Sequence, residues 1–407
     1  MQYLSETLII KKIIENSKYL FIFLPLLFVP TGFEFFEFPK YVFLLITSIF
    51  LLITLRFSKV YFKSIVFLSF TIYIIFNLVA STQIFFKESF YGMEFMRQNS
   101  ILFLFSLLII MMFFAYNKFP KNYLNNVESY FLVGVFISAT LGVIQFLLKP
   151  LGFLSNDWYF DGRIVSTLGH PNFLGAVVVI ALILIERLNL PWVKAVLLLC
   201  LILTFSKTSI ILYFIYIFYR YLRRLYLENR KIAVTLALTV FLFSFFIFNG
   251  LFSNVYSEII GNKPYLYQFQ RFFVFLDPKE LSLDLRFKIW DESLKAISDS
   301  PYLGFGKGQI IRVIELPEFK DLSLSSTHNL YLDVALESGL LGLSVFLIFI
   351  FSSLINSYRY DKYLFLIQSF IALHGLFDIT PVILWFFFIF ISGISVNKYN
   401  KNYLKQF

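Results

Sequence analysis

The chain has three histidines, and each stands in a polar cluster that interrupts long apolar sequence. In SSTHNLYLDVALESGLLGL, Ser325 to Leu343, His328 and Asn329 follow Ser/Thr capping residues and precede an apolar run, with Asp333 and Glu337 on its first turns. Histidine titrates near neutrality, so His328 qualifies as a general base; the alternative is a cap-region side chain. In LHGLFDITP, His374 and Asp378 have the i, i+4 spacing of helix neighbours, suited to a substrate or only to each other as a structural clasp. In DGRIVSTLGHPNFLG, Asp161 to Gly175, Arg163 and His170 flank a polar turn at which Pro171 opens a helix. The free backbone amides of such a start suit phosphate, and an ordinary capped helix is the other reading.

Two more cations stand out. Lys207, in TFSKTS, falls at the junction of two short apolar runs; there it either faces a polar cavity or snorkels to headgroups. The stretch DLRFKIWDESLKAISDSP, Asp284 to Pro301, predicts an amphipathic helix stopped by proline. Lys288, Asp291, Glu292 and Lys295 share one arc, and Leu285, Phe287, Ile289, Trp290, Leu294 and Ile297 the other, with Arg286 in the middle of the apolar arc. A guanidinium so placed either snorkels to lipid phosphate or points into the protein and meets an anion.

The sequence has one cysteine, Cys200, and neither an HExxH motif nor a Walker-type glycine loop. The expected site therefore uses no metal and no cofactor. Basic groups with one histidine at a membrane interface suit a lipid-linked pyrophosphate as leaving group and a hydroxyl as nucleophile.

The elements that must position these groups are set by composition. Of 407 residues 59% are apolar and 15% charged, with mean hydropathy +0.77, more than a water-soluble core can bury. The expected class is an all-α, polytopic integral membrane protein. Apolar runs near 18–34, 39–56, 63–81, 99–117, 128–149, 172–188, 191–205, 207–222, 231–252, 329–356, 361–377 and 379–397 predict about twelve spans, with eleven if the pair around Ser206 merges. The first run lacks a small-residue cleavage site and reads as an uncleaved span. With twelve spans and cytoplasmic termini, more than half of the 35 basic residues fall on the cytoplasmic side, as the positive-inside rule requires. The net charge of +10 is thereby explained by topology, with membrane lipids as neighbours and no nucleic acid as partner. Three regions follow: helices one to nine over 1–252, a large extracytoplasmic loop subdomain with helices over 253–328, and helices ten to twelve with a cytoplasmic tail over 329–407. All three histidines and the cations singled out converge on the outer face.

RxxSTxGHPNFLG, SK at a helix break, RxxIW with PYLGFGKGQ, THNLYLDVALESGLLGL and a closing HGLFD together resemble the O-antigen ligase and polymerase superfamily of bacterial membrane glycosyltransferases over roughly residues 160 to 380. The resemblance implies metal-independent, inverting transfer of a glycan from undecaprenyl pyrophosphate to lipid A core, on the periplasmic side of the bacterial inner membrane. Polymerase members instead extend the lipid-linked glycan, and protein-glycosylating members exist. It implies His328 as the base and Arg286 as the pyrophosphate cation, with Lys207 where the family usually has arginine, Arg163 at the same anion site, and His170 where members often have asparagine. Asn329, His374 and Asp378 complete the expected substrate-binding set. A reading from another class, a transporter of lipid-linked sugars, would place ionisable groups at mid-membrane and show an internal repeat; here the polar residues crowd one face.

Overall fold

In a computed structural model, the described residues are 64–87, 123–151, 159–160, 163–188, 190–236, 238–239, 281–306, 309–314, 326–378 and 382–403. The runs expected at 18–34, 39–56 and 99–117, most of 231–252, and loop residues 253–280 and 315–325 lie outside them. Almost all the rest is helix: α1 (Ile65–Lys87), α2 (Tyr123–Leu148), α3 (Pro171–Ile185), α4 (Pro191–Leu203), α5 (Lys207–Glu228), α6 (Leu281–Asp299), α7 (Ile310–Val313), α8 (Leu330–Tyr360), α9 (Lys362–Phe377) and α10 (Val382–Tyr403). A two-residue ladder, β1 (Tyr159–Phe160) against β2 (Arg163–Ile164), precedes α3. Among the described helices two are long and apolar enough to cross a membrane, Val127–Leu148 within α2 and Leu330–Tyr360. A mostly helical chain with two such spans fits the all-α membrane class.

α3 is apolar on every side, and Leu174 through Ile185 are all buried. Such a helix needs neighbours all round, and α2, α4, α5 and α9 supply them. α8 is the second centre, packing against α1, α6, α9 and α10. α9 joins the two groups by touching α3 and α5 as well as α8.

The α3–α9 pair is fastened at one end by charge. Arg187, just past α3, forks onto both oxygens of Asp361, each at 2.9 Å, and reaches Glu128 of α2 at 3.2 Å. Asp361 also caps α9 by accepting from the Tyr363 N–H, and the Arg187 guanidinium lies 4.4 Å from the Tyr363 ring centre. α4 and α5 do not merge, because the chain turns at Thr204–Ser206 with Phe205 at φ 48°.

α8 contains a break. Gly339 has φ 69° and ψ −180°, a conformation open in practice only to glycine. The segment 301–306, which follows α6, fills the break: the N–H groups of Phe305 and Gly306 donate to the carbonyls of Leu336 and Glu337 (2.7 and 2.9 Å), and the Leu340 N–H donates to Pro301 O (2.7 Å). A Cβ on Gly339 would stand 2.2 Å from Tyr302 O, and one on Gly304, itself at φ 68°, would stand 2.5 Å from Leu336 O. The joint is built of backbone alone. Ile289, Ala296 and Ile297 of α6 then pack with Ala335 and Leu336 of α8, so α6 is seated on the broken helix. Gly339→Ala and Gly304→Ala are each expected to destabilise the protein by about 2 kcal/mol or more, read as a lower melting temperature in detergent and faster proteolytic cleavage near residues 301–306.

Candidate active site

His328 sits on a turn that the sequence locks from below. The Asp333 carboxylate accepts from the Ser326 hydroxyl (2.6 Å), the Thr327 N–H (2.8 Å) and the Thr327 hydroxyl (2.6 Å). Asn329 caps α8, its Oδ1 accepting from the N–H groups of Tyr331 and Leu332. Between these anchors His328 takes φ 56°, an uncommon conformation for a residue with a side chain, held by its N–H donating to Ser326 Oγ at 3.1 Å. From the side, the Trp290 indole of α6 donates to Thr327 O at 3.0 Å.

The imidazole faces a buried carboxylate. His328 Nδ1 lies 3.3 Å from Asp378 Oδ1, and the Asp378 side chain is 1% exposed against 35% for His328. Asp378 ends α9, its N–H donating to His374 O at 3.0 Å. Its Oδ2 accepts from the Asn172 side-chain amide, on the first turn of α3. Arg286 completes the group: Nη1 donates to Phe377 O, one of the last carbonyls of α9, at 2.9 Å, and Nη2 stands 3.9 Å from Asp378 Oδ2. A cation at a helix C-terminus meets both an unsatisfied carbonyl and the negative end of the dipole.

Burial by itself would raise the Asp378 carboxyl, but the hydrogen bond with His328 and the charges of Arg286, His374 and His328 outweigh it and hold the group well below the usual carboxylate range. As an ionised carboxylate it can only accept. The proton of a neutral His328 therefore sits on Nδ1, which leaves the Nε2 lone pair for an outside group. A histidine so oriented, beside a guanidinium, has the geometry that a general base requires.

The other residues singled out in the sequence take these places. His170 caps α3, its Nδ1 accepting from the Asn172 N–H at 3.3 Å. Asn329 is the α8 cap. His374 is fully buried, with neither ring nitrogen hydrogen-bonded among the described residues, so the imidazole and the Asp378 carboxylate do not form a hydrogen-bonded clasp; a backbone hydrogen bond and an electrostatic interaction join them. Arg163 lies half-buried in β2, on a turn tied to α2 by Gln145 Oε1, which accepts from the N–H groups of Val165 and Ser166, and by the Ser138 and Thr167 hydroxyls at 2.6 Å. Lys207, half-buried, opens α5, which packs against α3 and α9. Arg286 does point inward, on the stripe shared by Ile289, Ser293 and Ile297, while Phe287 and Leu294 of the expected apolar arc are exposed. Among the described residues no three His, Cys, Asp or Glu side chains converge as metal ligands. No spacing pattern in the sequence marks Asn172 as a site residue.

Residues 192–347 match the family model described as O-antigen ligase, a stretch that holds Lys207, Arg286 and His328. This match supports the resemblance to the O-antigen ligase superfamily. The chain is also similar to the ComP-specific O-oligosaccharyltransferase of Acinetobacter baylyi (strain ATCC 33305 / BD413 / ADP1), 26% identical over 372 residues that cover 83% of this chain and 62% of that relative. It thus spans less than two thirds of the relative's length. Asn172 and Asp378, the two polar partners that surround His328 and Arg286, lie outside the matched domain on either side.

The depressed Asp378 carboxyl makes a pH prediction. Its ionised form stabilises the fold above its unfolded value near 3.8, and that contribution is lost as pH falls from there toward the lower folded value. Asp378→Asn should therefore melt lower than wild type at about pH 4.5, and the margin should narrow as pH falls below about 4, as measured by thermal unfolding in detergent.

Proposed function

We propose that the chain is a membrane glycosyltransferase that moves a glycan from undecaprenyl pyrophosphate onto an acceptor hydroxyl, with lipid A core as the acceptor. The observation that carries the reading is the half-exposed His328, oriented by a buried Asp378 and flanked by Arg286. Nε2 of His328 takes the acceptor's hydroxyl proton as the oxygen attacks the anomeric carbon; the bond from that carbon to the pyrophosphate oxygen breaks with its electron pair. Undecaprenyl pyrophosphate leaves, and the anomeric carbon is inverted. Arg286 neutralises the charge that grows on the leaving group, with Lys207 and Arg163 as further cations of the same anion site. Asn329, His170, His374 and Asp378 act by shaping and orienting this site.

The charge pattern supports twelve spans with cytoplasmic termini in the bacterial inner membrane and the site on the periplasmic face. The name of the Acinetobacter relative, an O-oligosaccharyltransferase specific for ComP, favours one second reading: the same transfer to an acceptor other than lipid A core.

Purified full-length protein in detergent, given an undecaprenyl-pyrophosphate-linked oligosaccharide and lipid A core with EDTA present, is expected to glycosylate the core. His328→Ala should lose on the order of 10²- to 10⁴-fold in rate, and Arg286→Lys should retain more activity than Arg286→Ala, since it keeps the charge without the fork. Elongated donor alone would make the protein a polymerase, glycosylation of an added polypeptide fraction would establish the second reading, and undiminished transfer by His328→Ala would remove His328 as the base.

A further inference from the structure

Among the described residues, the Asp378 carboxylate turns Oδ1 toward His328 Nδ1 at 3.3 Å and Oδ2 toward the Asn172 amide, with Arg286 farther off at 3.9 Å. Rotation about the last bond of an aspartate side chain is soft, so the partner of Oδ2 decides whether Oδ1 stays on the imidazole. Arg286 is poorly suited to that task, since its closer bond is to Phe377 O and its charge makes it the group an anionic substrate would draw away. Asn172 carries no charge, does not titrate, and is held by its own backbone, which follows Pro171 and donates to His170 Nδ1 at 3.3 Å. It stands on α3, whose body is buried on all sides.

We propose that Asn172 is a positioning residue for His328: its side-chain amide holds the Asp378 carboxylate in the plane that keeps one oxygen on the imidazole, whether or not Arg286 is engaged by an anion. The proposal rests on His328 being the base. Among the described residues, the charged and titratable groups that act on the carboxylate include Arg286 from α6, His374 from its own helix α9 and His328 from the turn before α8; Asn172, contributed by α3, is a neutral neighbour. Without it the carboxylate is free to swing toward Arg286, leaving His328 less well oriented and less readily protonated.

The test uses the full chain in detergent. Asn172→Leu removes the donor at similar volume, and Asn172→Ser, too short to reach, keeps a polar helix start should the leucine variant fail to fold. Site-resolved modification of His328 by diethyl pyrocarbonate, followed by mass spectrometry over about pH 5 to 8, reads its protonation without any substrate. The variants are expected to shift the midpoint to lower pH by roughly half a unit or more. With the undecaprenyl-pyrophosphate-linked oligosaccharide, kcat should fall on the order of 10- to 100-fold, the effect of losing one hydrogen bond to a charged group, with the donor KM within about threefold of wild type. A midpoint equal to wild type in a folded variant overturns the proposal, as does a loss of rate accounted for by a smaller folded fraction. Should His328→Ala keep its transfer activity while Asn172→Leu still shifts the midpoint, the reading of His328 as base fails and the positioning role stands.

Discussion

The structure around the site depends on one buried negative charge. A carboxylate with 1% exposure, such as Asp378, is tolerated only where donors and cations replace its hydration. Those partners come from three separate stretches: Asn172 at the start of α3, His328 on the turn before α8, and Arg286 on α6. Each stretch has its own reason to be where it is. α3 is fixed by burial on every side, the His328 turn by Asp333, and α6 by the backbone joint in α8 and the Trp290 bond. The charge selects the one arrangement in which all three meet.

Much of this was legible in the sequence, and what was not follows from how information is stored there. The helix positions around α2, α3, α4, α8 and α9 follow from runs of apolar residues, because a lipid-facing or fully buried helix must be apolar over its length. Arg286 was readable as an inward cation because a helical wheel places it among Ile289 and Trp290, but its partners, a carbonyl of α9 and a carboxylate beyond it, have no signature near it in the chain. The i, i+4 spacing of His374 and Asp378 suggested a pair; Asp378, however, has left the helix, with φ −161° and ψ 168°, and an extended residue does not present its side chain to the preceding turn. Asn172 could not be found by spacing at all, since its partner is 206 residues away. Its only local sign is its place after His170 and Pro171 at a helix start.

The segment PYLGFG illustrates a different limit. Two glycines in a loop read as turn residues, yet Gly304 meets Gly339 of α8 through backbone contacts that leave no room for a Cβ on either side. The joint uses carbonyls that the break in α8 leaves without intrahelical partners, and the N–H groups of the 301–306 turn satisfy them. No side-chain pattern announces such a joint; glycine at both ends is its only trace.

The Arg187 fastening bears on how deep the site lies. α3 has 15 residues and α9 has 16, so each is about 22–24 Å long, short of a hydrocarbon layer of about 30 Å. If the Arg187–Asp361–Glu128 group stands at one headgroup boundary, the opposite end of the same helix pair, with Asn172 and Asp378, stops several ångströms short of the other. The reactive groups would then lie in a recess below the lipid headgroups, where hydrophobic mismatch thins or opens the leaflet locally.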